Sequence, residues 1–137
     1  MVKIMFSPEI VKGILLSSGR PELTIYRNEK KHIGYEIRIR INLRADNLEF
    51  LLYVQHALET LNISSRIKES ESKIRPKPIL WVSGIVHVIR LCELIDVNLP
   101  ASKDQWVSFK LAAEMVYNGL HTTQAGLDEL LKLKGEI

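Results

Sequence analysis

The chain has 137 residues, of which 46% are hydrophobic and 26% are charged, a composition typical of one soluble globular domain over residues 1–137. The net charge of +3 and the pI near 9.0 favour an anionic partner if the basic residues cluster. A single cysteine, Cys92, excludes an intramolecular disulfide and a zinc site built on several thiolates. Without a signal peptide or a long apolar run, we expect a cytoplasmic or nucleoid-associated protein that does not cross a membrane.

The N-terminal segment predicts a short helix. Ser7 is a good N-cap, Pro8 suits the first helical position, and Glu9 favours the positive end of the helix dipole. The sequence Gly19-Arg20-Pro21 does not continue a helix. We therefore expect this helix to run from Pro8 to Ser18.

Two hairpins follow, with a helix between them. Apolar residues alternate with polar ones, as in strands with one buried face, at Leu23, Ile25, Ile33, Tyr35, Ile37, Ile39 and Ile41. Asp46 with Glu49 resembles a capping box ahead of a leucine-rich helix. The second hairpin is expected to pair strands at Ser65–Ser70 and Pro78–Val82 around an exposed basic loop, Glu71–Lys77.

The rest of the chain predicts helices. An apolar helix is expected from Ile85 to Ile95, and Ser102 with Gln105 resembles a second capping box for a helix that ends near Gly119. Thr122 or Thr123 then caps the last helix. The predicted fold class is α+β, with helices on one side of a mixed or antiparallel four-stranded sheet.

One face of this sheet must be buried under the helices, and the other carries polar and basic residues. By the period of two, it includes Thr24, Tyr26, Glu36, Arg38, Arg40, Asn42, Arg66, Lys68, Ser70 and Trp81, with Arg27 and Lys73 beside it. A two-stranded ribbon fits the major groove of DNA, where Arg reads guanine and Asn reads adenine. The alternative is a solvated face whose charges serve only solubility, which periodicity alone favours.

Residues Val11 to Gly19 read V-K-G-I-L-L-S-S-G and align without a gap with the motif L-A-G-L-I-D-A-D-G. The run from Phe109 to Lys134, with a small turn of His and Thr and then Gly-Leu before a leucine-rich helix, is similar to the closing pattern of the same family. The chain thus resembles a LAGLIDADG homing endonuclease domain over almost its whole length. The resemblance implies an αββαββα fold with additional C-terminal helices, whose sheet forms a DNA-binding saddle.

The resemblance also implies a homodimer in which the motif helices pack against each other. On that basis Val11, Gly13, Ile14 and Ser17 lie at a two-fold interface, with the glycine allowing close approach. The alternative for Gly13 is an ordinary helix glycine, tolerated at a cost of up to ~1 kcal/mol.

In the family, the acid before the last glycine holds the divalent ions that activate water at the scissile phosphate. Here that position is Ser18, and a neutral hydroxyl is a poor substitute for a carboxylate at a Mg²⁺ site. A polar side chain near the end of the second strand falls at Leu43, and the nearest downstream acid, Glu22, is expected to point elsewhere. The family's lysine near the cut site resembles Lys103, which either contacts a phosphate or is an ordinary surface lysine.

We therefore expect a homodimeric, sequence-specific double-stranded DNA-binding protein, without cleavage activity, that acts as a regulator at a pseudo-palindromic site. No cofactor is expected, and the histidines lack the spacing of metal ligands. One alternative is an active endonuclease that uses Mg²⁺ and a displaced acid. The other is a dimeric interaction module that binds no nucleic acid, and the basic residues predicted on one sheet face argue against it.

Overall fold

The structure is a computed structural model that describes residues 6–95 and 104–137. Its elements, in chain order, are α1 (Pro8–Ser18), β1 (Arg20–Arg27), β2 (Tyr35–Arg44), α2 (Leu48–Thr60), β3 (Arg66–Lys68), β4 (Ile79–Val82), α3 (Ile85–Leu94), α4 (Asp104–Tyr117), a 3₁₀ turn (Leu120–Thr122) and α5 (Gln124–Lys134). This order confirms the predicted αββαββα plan with additional C-terminal helices.

Capping side chains determine where the first two helices begin. The Ile10 amide donates to Ser7 Oγ at 3.3 Å, and α1 begins and ends at the predicted residues. At α2, Asn47 Oδ1 accepts from the Glu49 amide at 2.8 Å. The prediction that Asp46 caps α2 is therefore wrong by one residue, because the Asn47 side chain already satisfies the free amide of the first turn.

A turn at Gly34 joins β1 to β2. Gly34 has a φ of 79°, a left-handed conformation that a glycine adopts without steric cost. Its amide donates to the Lys31 carbonyl and its carbonyl accepts from the Asn28 amide, each at 2.9 Å. Ile33 consequently lies in the turn, and the predicted strand that includes it starts two residues too early, since β2 begins at Tyr35.

The four strands form one antiparallel sheet in the order β1-β2-β4-β3. Its apolar face includes Leu23, Ile39, Ile41, Leu43, Leu80 and Val82, all of them buried. These side chains form a continuous core with buried residues from every α-helix, among them Val11, Leu51, Val88, Phe109 and Leu130. The α-helices therefore cover one face of the sheet and leave the other face for polar residues.

The strand β3 is shorter than the predicted strand over Ser65–Ser70. It pairs with β4 only over Arg66–Lys68, and the chain then enters a loop over residues 69–78. Within this loop the Glu71 amide donates to the Lys77 carbonyl at 2.9 Å. The loop's own hydrogen bonds replace the sheet ladder, so the prediction that Ser70 belongs to the third strand is wrong.

The 3₁₀ turn connects α4 to α5 in very little space. Gly119 precedes it with a φ of 75°, and Thr123 Oγ1 accepts from the Gly126 amide at 3.0 Å, which confirms Thr123 as the cap of the last helix. A Cβ on Gly126 would lie 1.7 Å from the Leu120 carbonyl oxygen. Ser102, predicted to open a capping box for α4, lies outside the described residues.

Candidate nucleic-acid interface

Opposite the helices, the sheet carries a surface that we call the polar sheet face. In the register Thr24 lies opposite Arg38 and Tyr26 opposite Glu36, while Asn42, Trp81 and Arg66 form one row across β2, β4 and β3. By alternation the face consists of Arg20, Glu22, Thr24, Tyr26, Glu36, Arg38, Arg40, Asn42, Arg44, Arg66, Lys68, Ile79 and Trp81. The sequence predicts a shared face for all of these except Arg20, Glu22, Arg44 and Ile79.

The remaining predicted DNA-binding residues lie off this face. Arg27 is the last residue of β1 and pairs with Tyr35. By alternation it lies on the apolar side of the sheet, but its side chain is exposed. Ser70 and Lys73 are exposed in the 69–78 loop. Lys103 lies outside the described residues. Contact between these residues and DNA stays a prediction.

A hydrogen-bond network orders the end of the β1–β2 ribbon next to its turn. The Tyr26 hydroxyl donates to the Glu36 carboxylate, which also accepts from Asn28 Nδ2 at 3.1 Å. These bonds, Tyr26 first, lower the pKa of Glu36, and the bond to Glu36 raises the pKa of Tyr26. The Arg38 guanidinium lies 5.4 Å from the centroid of the Tyr26 ring, within cation–π range. The ring therefore restrains a side chain that is otherwise exposed.

In the middle of the ribbon, Glu22 binds two side chains of β2. Its Oε1 accepts from Arg40 Nε at 2.9 Å, and its Oε2 accepts from Asn42 Nδ2 at 2.7 Å. Asn42 is only 1% exposed, and its Oδ1 has no hydrogen-bond partner among the described residues. The register confirms that Asn42 belongs to the polar sheet face. Its burial does not fit the predicted direct contact with a base, because its amide donates a hydrogen bond to Glu22.

Arg44, at the end of β2, attaches the 69–78 loop to the polar sheet face. Its Nε and Nη2 donate to the two carboxylate oxygens of Glu71, each at 2.7 Å, and Arg75 Nε lies 3.3 Å from the same carboxylate. The bond from Arg44 lowers the pKa of Glu71 and raises the pKa of Arg44. Arg44 is not among the residues that the sequence predicts on this face, although the period of two that predicts Asn42 continues to it.

The motif helix α1 ends at Ser18, directly before β1. Ser18 is exposed, and its Oγ lies 3.4 Å from that of Ser17. Leu43, matched by resemblance to a polar position near the end of the second strand, is 1% exposed and part of the apolar core. Leu43 therefore offers no polar side chain there, and alternation along β2 places the neighbouring polar side chains at Asn42 and Arg44.

The face of α1 that points away from the core is not covered by any of the residues that the structure describes. Ile10 is 49% exposed, Gly13 and Ser17 are exposed, and Ile14 is partly buried. A Cβ on Gly13 would meet no atom within 4 Å. Val11, by contrast, is 0% exposed inside the chain. Its predicted place at a two-fold interface is therefore wrong, because the helical period turns Val11 toward the core and Ile10 outward.

Of the comparisons with known proteins, only the structural one finds similar proteins. By sequence, no protein-family model matches this chain, and no curated protein matches it significantly. By structure, it is similar to the homing endonuclease I-TnaI, with a TM-score of 0.79 and 16% identity over 98% of this chain and 89% of that chain. It is also similar to I-Vdi141I, an archaeal intron-encoded homing endonuclease complexed with DNA, with a TM-score of 0.79 and 22% identity over 94% and 80% of the two chains.

A third similar structure is I-LtrWI, a LAGLIDADG homing endonuclease bound to target DNA, with a TM-score of 0.81 and 17% identity. The alignment covers 100% of this chain and 46% of I-LtrWI. The chain has the LAGLIDADG homing endonuclease fold. It spans a little less than half of I-LtrWI and most of I-TnaI and I-Vdi141I.

The last turn of the motif helix carries no carboxylate in this LAGLIDADG fold. Ser18 offers a neutral hydroxyl where the resemblance expects a carboxylate. Each carboxylate oxygen of Glu22, the next acid along the chain, already accepts a hydrogen bond from β2. Within residues 6–95 and 104–137, no three His, Cys, Asp or Glu side chains come together as a metal site.

In those same ranges, no helix is long and apolar enough to cross a membrane.

Proposed function

We propose that this protein binds double-stranded DNA sequence-specifically as a homodimer and does not cleave it. The observation that carries the proposal is the polar sheet face, where basic residues outnumber acidic ones on an antiparallel ribbon. Such a ribbon fits the major groove, and lysine and arginine neutralise phosphates. Structures with the same fold, I-Vdi141I and I-LtrWI, are complexed with DNA.

The residues at and just after the end of the motif helix support binding without cleavage. Phosphodiester hydrolysis by the family's chemistry needs anionic oxygens to hold divalent ions beside the scissile phosphate. Ser18 supplies none, and the Glu22 carboxylate binds Arg40 and Asn42 instead. A protein that binds a DNA site without cutting it is suited to act as a regulator, in the nucleoid.

The surface of α1 and the length of the chain support a homodimer. Ile10, Gly13 and Ser17 form an exposed stripe with helical spacing beside the partly buried Ile14, and the space beside Gly13 permits close approach of a second helix. Because one copy of this chain covers 46% of I-LtrWI, two copies would approach the size of that DNA-bound protein. A two-fold axis through α1 would duplicate the polar sheet face and require a pseudo-palindromic site.

The test is a mobility-shift and cleavage assay on one pool of random duplexes, with Mg²⁺ or Mn²⁺ present and absent. We expect enrichment of a pseudo-palindromic sequence and no new DNA ends. Metal-dependent ends that vanish in Glu22→Gln while the variant still binds the same duplex would identify an active endonuclease with a displaced acid. Absence of binding at low salt would instead favour a protein-interaction module.

Restoring an acid at the motif position tests whether its replacement explains the expected absence of cleavage. Ser18→Asp places a carboxylate at the position where the resemblance expects it, on an exposed site that accepts the side chain. If the missing acid is the main defect, this variant should gain metal-dependent nicking at the selected site. Ser17→Asp, one residue earlier and also exposed, is the matched control and should gain none.

A further inference from the structure

Of the three arginines of β2, Arg40 is restrained in a way that leaves its terminal nitrogens available. Its Nε donates to Glu22, while neither of its Nη atoms bonds to a residue that the structure describes. Its side chain is 38% exposed. Arg44, in contrast, uses both Nε and Nη2 on Glu71. Among the described residues, Arg38 is restrained by the Tyr26 ring alone.

Glu22 is itself anchored from within the sheet. Its second carboxylate oxygen accepts from Asn42, whose side chain is almost completely buried. The carboxylate therefore connects a fixed amide to the Nε side of the Arg40 guanidinium. A guanidinium restrained in this way loses less rotamer entropy on binding than a free arginine would, because part of its motion is already restricted.

The two free Nη groups match one base edge in the major groove. Guanine presents two acceptors there, O6 and N7, which an arginine contacts with two parallel hydrogen bonds. Adenine presents a donor at N6 and cytosine a donor at N4, and a guanidinium has no acceptor for either.

The charge of Glu22 also works against non-specific contact. An arginine without an acidic neighbour binds any phosphate, whereas a carboxylate at 2.9 Å offsets its charge and repels a nearby phosphate. Glu22 should therefore weaken binding to all DNA while favouring the uncharged guanine edge. That combination increases discrimination more than affinity.

Resting on the DNA-binding function proposed above, we propose that Arg40 reads a guanine in the target site and that Glu22 is the positioning residue that makes this contact selective. In a homodimer the guanine occurs at a symmetric pair of positions. Asn42 acts through Glu22 and contacts no base.

The experiment measures affinity for the selected duplex and for duplexes altered at each base pair, using wild type, Arg40→Lys and Glu22→Gln. Wild type should prefer guanine at one symmetric pair. Arg40→Lys keeps the charge but loses the two-pronged donor, so the preference at that pair should fall by roughly 10- to 100-fold while other positions keep theirs. Glu22→Gln should bind unrelated DNA several-fold more tightly and lose most of the same preference.

Glu36→Gln is the matched control for charge. It removes a carboxylate from the same sheet face, but Glu36 bonds to Tyr26 and Asn28 and not to Arg40. It should raise general affinity as Glu22→Gln does and leave the guanine preference at the Arg40 pair intact. A loss of that preference in both variants would show that charge alone explains the effect and would overturn the role of Glu22.

The remaining outcomes separate this inference from the proposed function. If wild type binds no duplex, DNA binding fails and the role of Arg40 fails with it. If wild type selects a site but Arg40→Lys changes the affinity for all the altered duplexes equally, Arg40 contacts a phosphate. Only this inference is then refuted. If circular dichroism shows that Glu22→Gln does not fold, the Arg40→Lys variant still tests the proposal.

Discussion

Lys68→Ala tests both the DNA contact and the number of chains in the complex. Lys68 lies exposed in β3 on the polar sheet face, and the only hydrogen bond of its side chain within the described residues runs from Nζ to the Glu71 carbonyl at 3.2 Å. Removing the side chain should therefore change the fold little, since exposed polar contacts contribute about 0–1 kcal/mol. Any effect on DNA binding can then be attributed to the lost cation.

The expected magnitude follows from counterion release. Each phosphate neutralised by a protein cation contributes about −0.9 to the slope of log K against log salt concentration. A homodimer loses two Lys68 side chains, so the slope should become less steep by about 1.8. From about 50 mM to about 200 mM NaCl, the affinity advantage of wild type over the variant should shrink by about tenfold.

The assay is fluorescence anisotropy on one duplex across this salt range. Lys132→Ala is the matched control, because Lys132 is also exposed but lies in α5, on the helical side of the sheet. A slope change near 0.9 would indicate one chain per complex and refute the homodimer. An unchanged slope would show that Lys68 contacts no phosphate.

Four further substitutions test the fold and the interface. Gly13→Glu should yield folded monomers by analytical ultracentrifugation, because the new side chain finds open space within the chain but places a charge in the proposed interface; an unchanged dimer mass would exclude α1 from that interface. Gly13→Ala should raise the free energy of unfolding in urea of the monomer by up to ~1 kcal/mol, because alanine has the higher helix propensity. Gly126→Ala should lower it, since its Cβ would lie 1.7 Å from the Leu120 carbonyl oxygen. Equal changes in stability for the two variants would contradict the tight turn at Gly126. The lowered pKa of Glu71 stabilises the fold at pH values above its ordinary value of 4.5, and this contribution is lost as the pH falls through the lower folded-state pKa. Glu71→Gln should therefore narrow the difference in urea stability between about pH 7 and about pH 3, and a difference as large as that of wild type would rule out the Arg44–Glu71 pair as its source.

Local signals were sufficient where neighbouring residues along the chain determine the outcome. Ser7 and Pro8 place the start of α1, and Thr123 caps α5, because a cap is satisfied within one helical turn. The period of two also assigned residues such as Arg38 and Lys68 to one face, since alternation follows from the geometry of a strand.

Two of the wrong predictions arose where two elements meet. Val11 and Ile10 are both apolar and adjacent in sequence, and only the packing of α1 on the core decides which one is buried. Ser70 continues the alternation of β3, but the strand ends early because its loop is attached to β2 through Arg44 and Glu71. Neither contact leaves a local pattern in the sequence.

By itself, the sequence determined the order of elements and the polar face of the sheet, because these depend on residue type and local spacing. The assignment of Ser18 to the acid position of the motif stays a prediction from the resemblance. Only the tertiary structure decided that Glu22 binds Arg40 and Asn42. Glu22 and Arg40 are 18 residues apart and Glu22 and Asn42 are 20 residues apart, and the β1–β2 register brings their side chains within hydrogen-bonding distance. The register depends on the turn at Gly34 and on the burial of the apolar face, which no single strand specifies alone.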